Sequence, residues 1–496
     1  MRPSSQSGLS ANRIYLTYIL VLLIFGGGIW FILEAGSRLA PAGPVVDATG
    51  ESGSIDPSPA HTSKPESGPA SIGKVLQENL RGPLSILLLQ IIIIIVAARL
   101  FGKLFQRIGQ PPVIGEMIAG IVLGPSVLGW LSPESMAFLF PDSSMATLRM
   151  LSQIGVVLFM FVVGMDLDTK HLREKANAAV MISHASIVIP FFMGAALSLI
   201  LYRPLASTST SFTAFALFMG IAMSITAFPV LARILEDSGM SQSYLGSTAI
   251  ACAAVDDVTA WCILAVVIAI VKADGIAVSV LTIGLALLFI ATMLFLVKPR
   301  IGRIIKESKK DEKQGRGLVA AILAFVLACA WFTETIGIHA LFGAFLAGVV
   351  MPSANGVRSF LKEKLETFSS AALLPLFFAF TGLRMQINLL NDWHSWMMCA
   401  GIIAVAIAGK LGGSMLAARW TGMNWQDSFG IGVLMNTRGL IELIVLNIGY
   451  DLGILPARIF AMMVIMALAT TSMTGPLLSL IKFRRQTEPM LTRSVG

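Results

Sequence analysis

The chain has 496 residues, of which 55% are hydrophobic and only 13% are charged. Soluble globular domains carry about 25% charged residues, so the composition excludes an ordinary soluble protein and predicts an all-α polytopic membrane protein. The formal net charge of +8 is then expected in loops on one side of the bilayer, because basic loops set membrane topology. It does not indicate a nucleic-acid-binding surface.

Apolar segments recur along the chain, and most of them are long enough to cross about 30 Å of hydrocarbon. Their predicted bounds are 15–33, 84–102, 113–130, 145–165, 178–201, 212–235, 245–270, 276–297, 318–336, 338–352, 368–387, 396–418, 427–449 and 459–481. With the N-terminus in the cytoplasm, most Lys and Arg residues fall on the cytoplasmic side, including the basic run 298–316. We therefore predict a multi-pass protein of the cell or inner membrane with both termini cytoplasmic.

The first apolar segment stands apart from the others. Residues 34–82 are rich in Pro, Gly and Ser and lack periodicity, which predicts a disordered extracytoplasmic linker. Residues 1–33 are either a short cytoplasmic stub with an extra transmembrane helix or a cleaved signal peptide. We favour the retained helix because the apolar run is long. The main membrane domain is predicted over 83–482, followed by a short cytoplasmic tail at 483–496.

The thirteen helices after the linker divide as six, one and six. The second six, at 318–481, begin on the opposite side of the membrane from the first six, at 84–270. This arrangement allows an inverted repeat, which many secondary transporters contain.

Two adjacent aspartates, Asp256 and Asp257, lie in the middle of the apolar segment 245–270. A charged side chain at the bilayer centre costs about 2.5–3.5 kcal/mol on insertion scales, so two together indicate a function. Adjacent residues point about 100° apart on a helix, so one carboxylate can face a cavity while the other meets a neighbouring helix. Neighbouring carboxylates also disfavour each other's ionised form, which favours proton exchange.

Lys410 is a second ionisable residue at membrane depth, in an apolar run that also contains Gly409, Gly412 and Gly413. The glycines permit another helix to approach closely. Because a buried lysine needs a partner or must lose its charge, we predict one of the two aspartates as its counter-ion.

The segment 212–235 carries Ser224, Thr226 and Pro229 in its middle. A proline inside a helix removes a backbone donor and frees a carbonyl one turn earlier. Broken helices at membrane depth line cavities, and their exposed ends coordinate ions. We therefore predict a helix break here, with the two hydroxyls as ligand oxygens. A simple proline kink is the alternative.

The corresponding segment of the second half is interrupted by Asn436, Thr437 and Arg438, followed by Glu442. Two interrupted segments in matching positions of two halves are the best sequence indication of a transport site. Arg438 and Glu442 are spaced i, i+4 on a helix, so we interpret them as a structural ion pair.

Glu116 follows Pro111 and Pro112 at the start of an apolar segment. It is interpreted either as a carboxylate favoured by the positive end of the helix dipole or as the partner of Arg438 or another cation.

These residues lie in strings that resemble the monovalent cation:proton antiporter-2 family, which carries the sodium/proton exchanger domain. The matching strings are 110–116 with Gly124 and Pro125, 224–236, 253–257, 337–352, 374–384 and 436–449. The last, N-T-R-G-L-I-E-L-I-V-L-N-I-G, is most similar to plant cation/proton exchangers and their bacterial relatives. The resemblance covers about 84–482.

The resemblance implies a fold of thirteen helices with inverted repeats, divided into a core domain and a dimerisation domain. The predicted N-terminal helix is one helix more than this pattern contains. The resemblance further implies a homodimer that works by elevator-type alternating access. By resemblance Asp257 matches the carrier of cation and proton, and Asp256 matches the residue that pairs with the lysine, here Lys410.

Together these features predict a secondary antiporter that exchanges a monovalent cation, Na⁺ or K⁺, for protons across the lipid bilayer. It is expected to need no cofactor or resident metal and not to act as an enzyme. A potassium channel is one alternative, but the chain lacks a T-V-G-Y-G filter. An intramembrane aspartyl protease is another, but its two aspartates must face each other to share a proton, whereas these are consecutive.

Overall fold

The computed structural model describes residues 11–39, 79–80, 82–166, 176–240, 243–272, 276–308, 315–352 and 357–487, and every regular element among them is helical. The first half contains α1 (Ala11–Gly36), α2 (Pro83–Arg107), α3 (Pro112–Leu123), α4 (Leu128–Leu131), α5 (Pro133–Leu139), α6 (Asp142–Asp166), α7 (Ala176–Leu205), α8 (Phe212–Ser224), α9 (Phe228–Asp237) and α10 (Tyr244–Lys272). The remainder contains α11 (Ile276–Ala291), α12 (Lys298–Ser308), α13 (Gly315–Thr335), α14 (Ala340–Val349), α15 (Val357–Phe368), α16 (Leu374–Leu383), α17 (Trp393–Ile407), α18 (Gly413–Trp420), α19 (Trp425–Met435), α20 (Leu440–Asp451) and α21 (Ala457–Thr487).

Each predicted apolar segment coincides with a helix or a helix pair, which confirms the all-α membrane fold. In the described part of the chain, 11 helices are long and apolar enough to cross a membrane. The three remaining predicted segments are 212–235, 338–352 and 427–449. The first and third are interrupted helices, and the second forms only the ten-residue helix α14. Periodicity alone cannot show these interruptions.

In the described part of the chain, three π-helical turns lie between consecutive α-helices. They are Thr292–Val297, Ser369–Leu373 and Ala408–Gly412. A π-turn inserts an extra residue into a helical turn and is frequent at functional sites. The third turn contains Lys410, so the helix is locally widened where this side chain leaves it.

The helices pack as two groups. The scaffold group, residues 83–166 and 315–383, contains α2, α3, α6 and α13–α16, and α3 packs on both α2 and α16. The site group, residues 176–272 and 393–487, contains α7–α10 and α17–α21, and α7 packs on α8, α10, α17 and α18. Contacts between the groups include α16 on α20. This arrangement agrees with the predicted division of the fold into two parts.

The extra N-terminal helix packs on the site group. It runs from Ala11 to Gly36, longer than the predicted 15–33, and contacts α7 and α8. A Cβ atom added to Gly28 would lie 2.6 Å from the Phe192 ring, and one added to Gly36 would lie 1.9 Å from the Phe212 ring. Both rings therefore use the space that a glycine leaves on α1.

Parts of the predicted domain organisation lie outside the described residues. These are the stub at 1–10, most of the linker at 40–78, and the end of the tail at 488–496. The last helix continues to Thr487, past the predicted end of the membrane domain at 482.

Candidate functional site

Asp256 is fully buried, and four donors surround its carboxylate. Ser183 Oγ donates to Oδ1 at 2.5 Å and Ser186 Oγ donates to Oδ2 at 2.9 Å. Thr226 Oγ1 and Lys410 Nζ also donate to Oδ2, at 2.7 Å and 2.9 Å. A buried carboxylate with this many donors is stabilised as the anion. Both carboxylate oxygens of Asp256 are therefore already occupied by donors of this chain.

Lys410 is also fully buried, and its ammonium group has three acceptors. In addition to Asp256 Oδ2, it donates to the carbonyl oxygen of Ser186 at 2.8 Å and to the carbonyl oxygen of Ser224. An ammonium group has three hydrogens, so every donor is used. Since Ser224 is the last residue of α8, the lysine also binds the end of a broken helix. The predicted contact between Lys410 and an aspartate is present, with Asp256.

Asp257 lies beside this cluster in a different situation. Its side chain is 1% exposed, and its Oδ1 has no hydrogen-bond partner. The carboxylate receives a hydrogen bond from the backbone amide of Phe228, the first residue of α9. The N-terminus of a helix favours negative charge. Asp257 is thus a buried carboxylate with one oxygen held by a helix end and the other open to a further ligand.

The first broken helix matches the prediction in its position. α8 ends at Ser224, residues 225–227 are not helical, and α9 begins at Phe228 with Pro229 as its second residue. Proline is favoured in the first turn because the amide it lacks would be unpaired there. The chain is therefore interrupted before the proline, and the alternative of a simple kink is wrong.

The structure shows which groups the two predicted hydroxyl ligands donate to. Ser224 Oγ donates to the Ile221 carbonyl at 2.8 Å within its own helix. Thr226 Oγ1 lies 2.7 Å from Asp256 Oδ2 and 3.0 Å from the Met435 carbonyl. Hydroxyls of Ser and Thr at helix ends commonly bond to nearby backbone. In this structure Ser224 contributes its carbonyl, to Lys410, and Thr226 supports Asp256.

The second break crosses the first. α19 ends at Met435, residues 436–439 interrupt it, and α20 begins at Leu440. The Ala227 amide of the first break donates to the Thr437 carbonyl of the second at 2.9 Å. The Thr437 hydroxyl lies 3.4 Å from that of Thr474. The two interruptions therefore share a backbone hydrogen bond, and backbone groups freed at membrane depth need such partners.

Asn436 contributes a second open oxygen to this crossing. Its Nδ2 contacts Met473 Sδ at 3.7 Å, whereas its Oδ1 is buried without a partner. The next residue, Thr437, accepts a hydrogen bond from the Ala227 amide through its carbonyl. The residue after Ala227 is Phe228, whose amide binds Asp257. The chain thus places the Asn436 amide and the Asp257 carboxylate at the same crossing.

Arg438 connects the two broken helices and is fully buried. Its Nη1 and Nη2 donate to the carbonyls of Ala222 and Met223 at 3.0 Å and 2.8 Å, at the end of α8. The Glu442 Oε1 lies 3.3 Å from Arg438 Nη1, without the alignment of a hydrogen bond. The predicted i, i+4 ion pair is present. The sequence did not indicate that the arginine also binds the free carbonyls of the other half.

Glu116 lies in α3 in the scaffold group. It is 7% exposed, and the positive charge acting on it comes from Arg99 of α2. Of the partners considered from the sequence, the basic residue is therefore Arg99 and not Arg438.

Two residues that the sequence did not indicate, Ser183 and Ser186, bind Asp256 from α7. The signal was their spacing, i and i+3 on a largely apolar helix, which places both hydroxyls on one face. Serine is common in membrane helices, so this spacing indicates a pair of hydrogen-bond donors only when the neighbouring helix that carries Asp256 is known.

A cavity of about 650 Å³ separates the two groups at one face of the molecule. It is lined by Gln106, Gln110, Ile234, Ser238 and Ser479, among others. We call this the basic face, because α2 ends there at Arg107. A much smaller cavity, about 10 Å³, lies between α3 and Arg438.

Comparison with known proteins places these features in a family. Residues 91–483 match the family described as "Sodium/hydrogen exchanger, transmembrane". The Na(+)/H(+) antiporter NhaS4 of Synechocystis is 44% identical over 395 residues, which cover 79% of this chain and 96% of that protein. Cation/H(+) antiporter 17 of Arabidopsis thaliana is 40% identical over 79% of this chain but only 48% of its own length. This chain therefore spans about half of the plant relative.

A solved structure shows the same fold. The sodium proton antiporter MjNhaP1 from Methanocaldococcus jannaschii superposes with a TM-score of 0.61 at 13% identity, over 82% of this chain and all of that one. The residues that match the family, 91–483, include both broken helices, the aspartate pair and Lys410. The chain therefore belongs to the sodium/hydrogen exchanger family of integral membrane transporters.

Proposed function

We propose that this protein is a secondary active antiporter that exchanges a monovalent cation, Na⁺ or K⁺, for protons across a membrane. The observation that carries the proposal is the unpartnered Oδ1 of Asp257, a buried carboxylate oxygen at the crossing of two broken helices. Leaving such a group unpaired is costly, so a ligand is expected to occupy it. A proton and a cation are the two simplest ligands.

Exchange follows from competition at this one carboxylate. The protonated acid loses H⁺ when a cation M⁺ binds, and the anion with M⁺ loses the cation when H⁺ binds. One positive charge enters for each that leaves. Because Asp256 is already compensated by Lys410, it does not compete with Asp257 for the transported ion in this arrangement.

The remaining ligands of the cation are expected to be oxygen atoms. Hard alkali cations prefer carboxylate, carbonyl and water oxygens. The unpartnered Oδ1 of Asn436 is the second candidate, together with water. We propose Asn436 in this role beside the hydroxyls of Ser224 and Thr226, which donate their hydrogens to other groups but keep lone pairs for a cation.

Transport further requires that the site open to each side in turn. We propose that the site group moves against the scaffold group in an elevator-like manner. The cavity between Gln106 and Ser479 is consistent with a state open at the basic face. We also propose a homodimer in the cell or inner membrane, with the basic face and both termini in the cytoplasm.

The alternatives fit the geometry less well. An aspartyl protease needs two carboxylates that share a proton, whereas Asp256 is occupied by a lysine and three hydroxyls. A channel gains nothing from a buried lysine–aspartate pair, whereas Lys410 and Asp256 are in direct contact here.

The experiment is a pH-dye assay in vesicles with an imposed proton gradient. Adding Na⁺ or K⁺ should restore the fluorescence in vesicles of the unmodified protein and of the control Glu134→Gln, an exposed acid at the start of α5. Asp257→Asn should abolish the response while still eluting as a folded protein. Normal exchange by Asp257→Asn would refute the assignment.

A further inference from the structure

At the face opposite to the basic face, charged residues join the scaffold group to the site group. Arg384, directly after α16, donates from Nη1 to Asn447 Oδ1 at 2.8 Å and pairs through Nη2 with Asp451 Oδ1. Arg149 of α6 lies 3.5 Å from the same Asp451 oxygen. Both arginines belong to the scaffold group, and both acceptors belong to α20 of the site group.

Further contacts orient the central arginine. The Arg384 guanidinium carbon lies 4.4 Å from the centre of the Tyr450 ring, a cation–π distance. Asn447 Nδ2 donates to Thr381 Oγ1 of α16 at 2.9 Å. The Arg384 and Asp451 side chains are only 12% and 20% exposed, so solvent screens this pair less than it screens a surface pair. Arg384 is therefore held by three residues, Asn447, Tyr450 and Asp451, on about one turn of α20.

The two faces of the molecule differ as a result. At the basic face a cavity separates the groups, and the hydrogen bond from Gln110 Nε2 to the Ser472 carbonyl, 3.1 Å, crosses beside it. At the opposite face the arginine cluster joins them. The structure is therefore open at one face and fastened at the other.

We propose that Arg384, Arg149, Asp451 and Asn447 form a latch that stabilises the state open at the basic face. The inference rests on the proposed function, since a latch has a role only if the groups move. Contacts made in one state and lost in the other shift the equilibrium by their differential free energy. When the site group moves to open the opposite face, α20 leaves α16 and these contacts break. Arg384 and Asp451 are thus positioning residues that set which face is open at rest.

The chain offers a matched control for the latch. Arg458 Nη2 pairs with Asp392 Oδ1 at 2.6 Å, with side chains that are also partly exposed. Asp392 caps α17 and Arg458 lies in α21, so both partners belong to the site group. Breaking this pair removes a similar ionic contact but leaves the relation between the two groups unchanged.

The test measures the distance between spin labels on the two groups. The exposed cysteine, Cys262, is first replaced by serine. Gln106 and Ser479, on opposite walls of the cavity, are then replaced by cysteines that carry the spin labels. With the latch residues unchanged, the two labels should be found mainly at the long distance, which reports the state open at the basic face. Asp451→Asn should lower the ratio of long to short distances about fivefold to tenfold, a typical coupling between two states. Asp451→Glu should restore the ratio, and Asp392→Asn should leave it unchanged.

The outcomes separate the latch from the proposed function. Unchanged distances in Asp451→Asn, or an equal shift in Asp392→Asn, would overturn the latch even if vesicles exchange ions normally. A shift specific to Asp451→Asn supports the latch. If the unmodified protein shows no exchange in vesicles, the proposed function fails while the distance measurement still decides whether the contacts hold one state. Should Asp451→Asn not fold, Arg384→Gln tests the same contact.

Discussion

Lys410 Nζ lies 2.9 Å from Asp256 Oδ2, and neither side chain has any exposed surface. A buried ion pair is costly to break from one side, because the remaining charge is left uncompensated. Lys410 lies in a π-turn and also binds the carbonyls of Ser186 in α7 and Ser224 at the end of α8. The lysine therefore connects three elements around the site. We assign the pair the task of holding the site together.

Removing only one charge of this pair should destabilise the protein strongly. Asp256→Asn and Lys410→Gln are each expected to cost about 3–5 kcal/mol, and the double variant less than the sum of the two. The measurement is thermal unfolding of the protein in detergent, analysed as a double-mutant cycle. Additive effects would show that the two side chains do not interact.

The hydroxyls of Ser183 and Ser186 should contribute to stability through Asp256. Hydrogen bonds to a charged group contribute about 1.5–3 kcal/mol, so Ser183→Ala and Ser186→Ala should each lower the unfolding temperature clearly. Ser198→Ala is the control, because Ser198 is a buried serine of the same helix that bonds only to the Gly194 carbonyl, at 3.0 Å. If all three variants lose the same stability, the serines do not act through the carboxylate.

Arg438 should tolerate little change, because it binds two carbonyls at the end of α8 as well as Glu442. Lysine cannot reproduce the planar guanidinium with its two parallel donors. Arg438→Lys is therefore expected to reduce exchange in vesicles more than Glu442→Gln, which leaves both carbonyl contacts in place. An equal or larger loss in Glu442→Gln would mean that the ion pair matters more than the clamp on α8.

The N-terminal helix α1 should stay bound to the site group, because Gly28 lets it pack closely against the Phe192 ring. With a protease site inserted into 40–78, the cleaved α1 fragment should co-elute with the membrane domain in detergent. Gly28→Leu should release the fragment, because a Cβ atom at this position would lie 2.6 Å from the Phe192 ring. Gly27→Leu is the control and should not release it, because nothing lies within 4 Å of a Cβ atom there. An intact mass that lacks residues 1–33 would instead support the signal-peptide interpretation.

The sequence predicted the helices well because bilayer thickness imposes length and hydrophobicity on each of them. It also predicted the break before Pro229 and the counter-ion of Lys410, because a proline and an isolated charge at membrane depth permit few solutions. The interruption at 436–439 was visible for the same reason, as polar residues in an apolar run.

The sequence did not predict which oxygens are free. Ser224 and Thr226 were expected as ligands, but whether a hydroxyl binds its own backbone or a neighbouring acid depends on side-chain geometry. Likewise, Arg384 and Asp451 are separated by 67 positions, and the sequence alone did not indicate their pairing. Contacts between distant segments depend on how the two groups pack, which apolar periodicity does not encode.

The central claim is that a cation and a proton compete for Asp257. It is tested most directly by titrating the purified protein with Na⁺ and K⁺ in a calorimeter, in two buffers of different ionisation enthalpy, which counts the protons released per cation bound. We expect cation binding to release protons near the pH at which Asp257 titrates, and apparent affinity to fall as the pH is lowered. Asp257→Asn should neither bind the cation nor release protons. Cation binding without proton release would contradict the account.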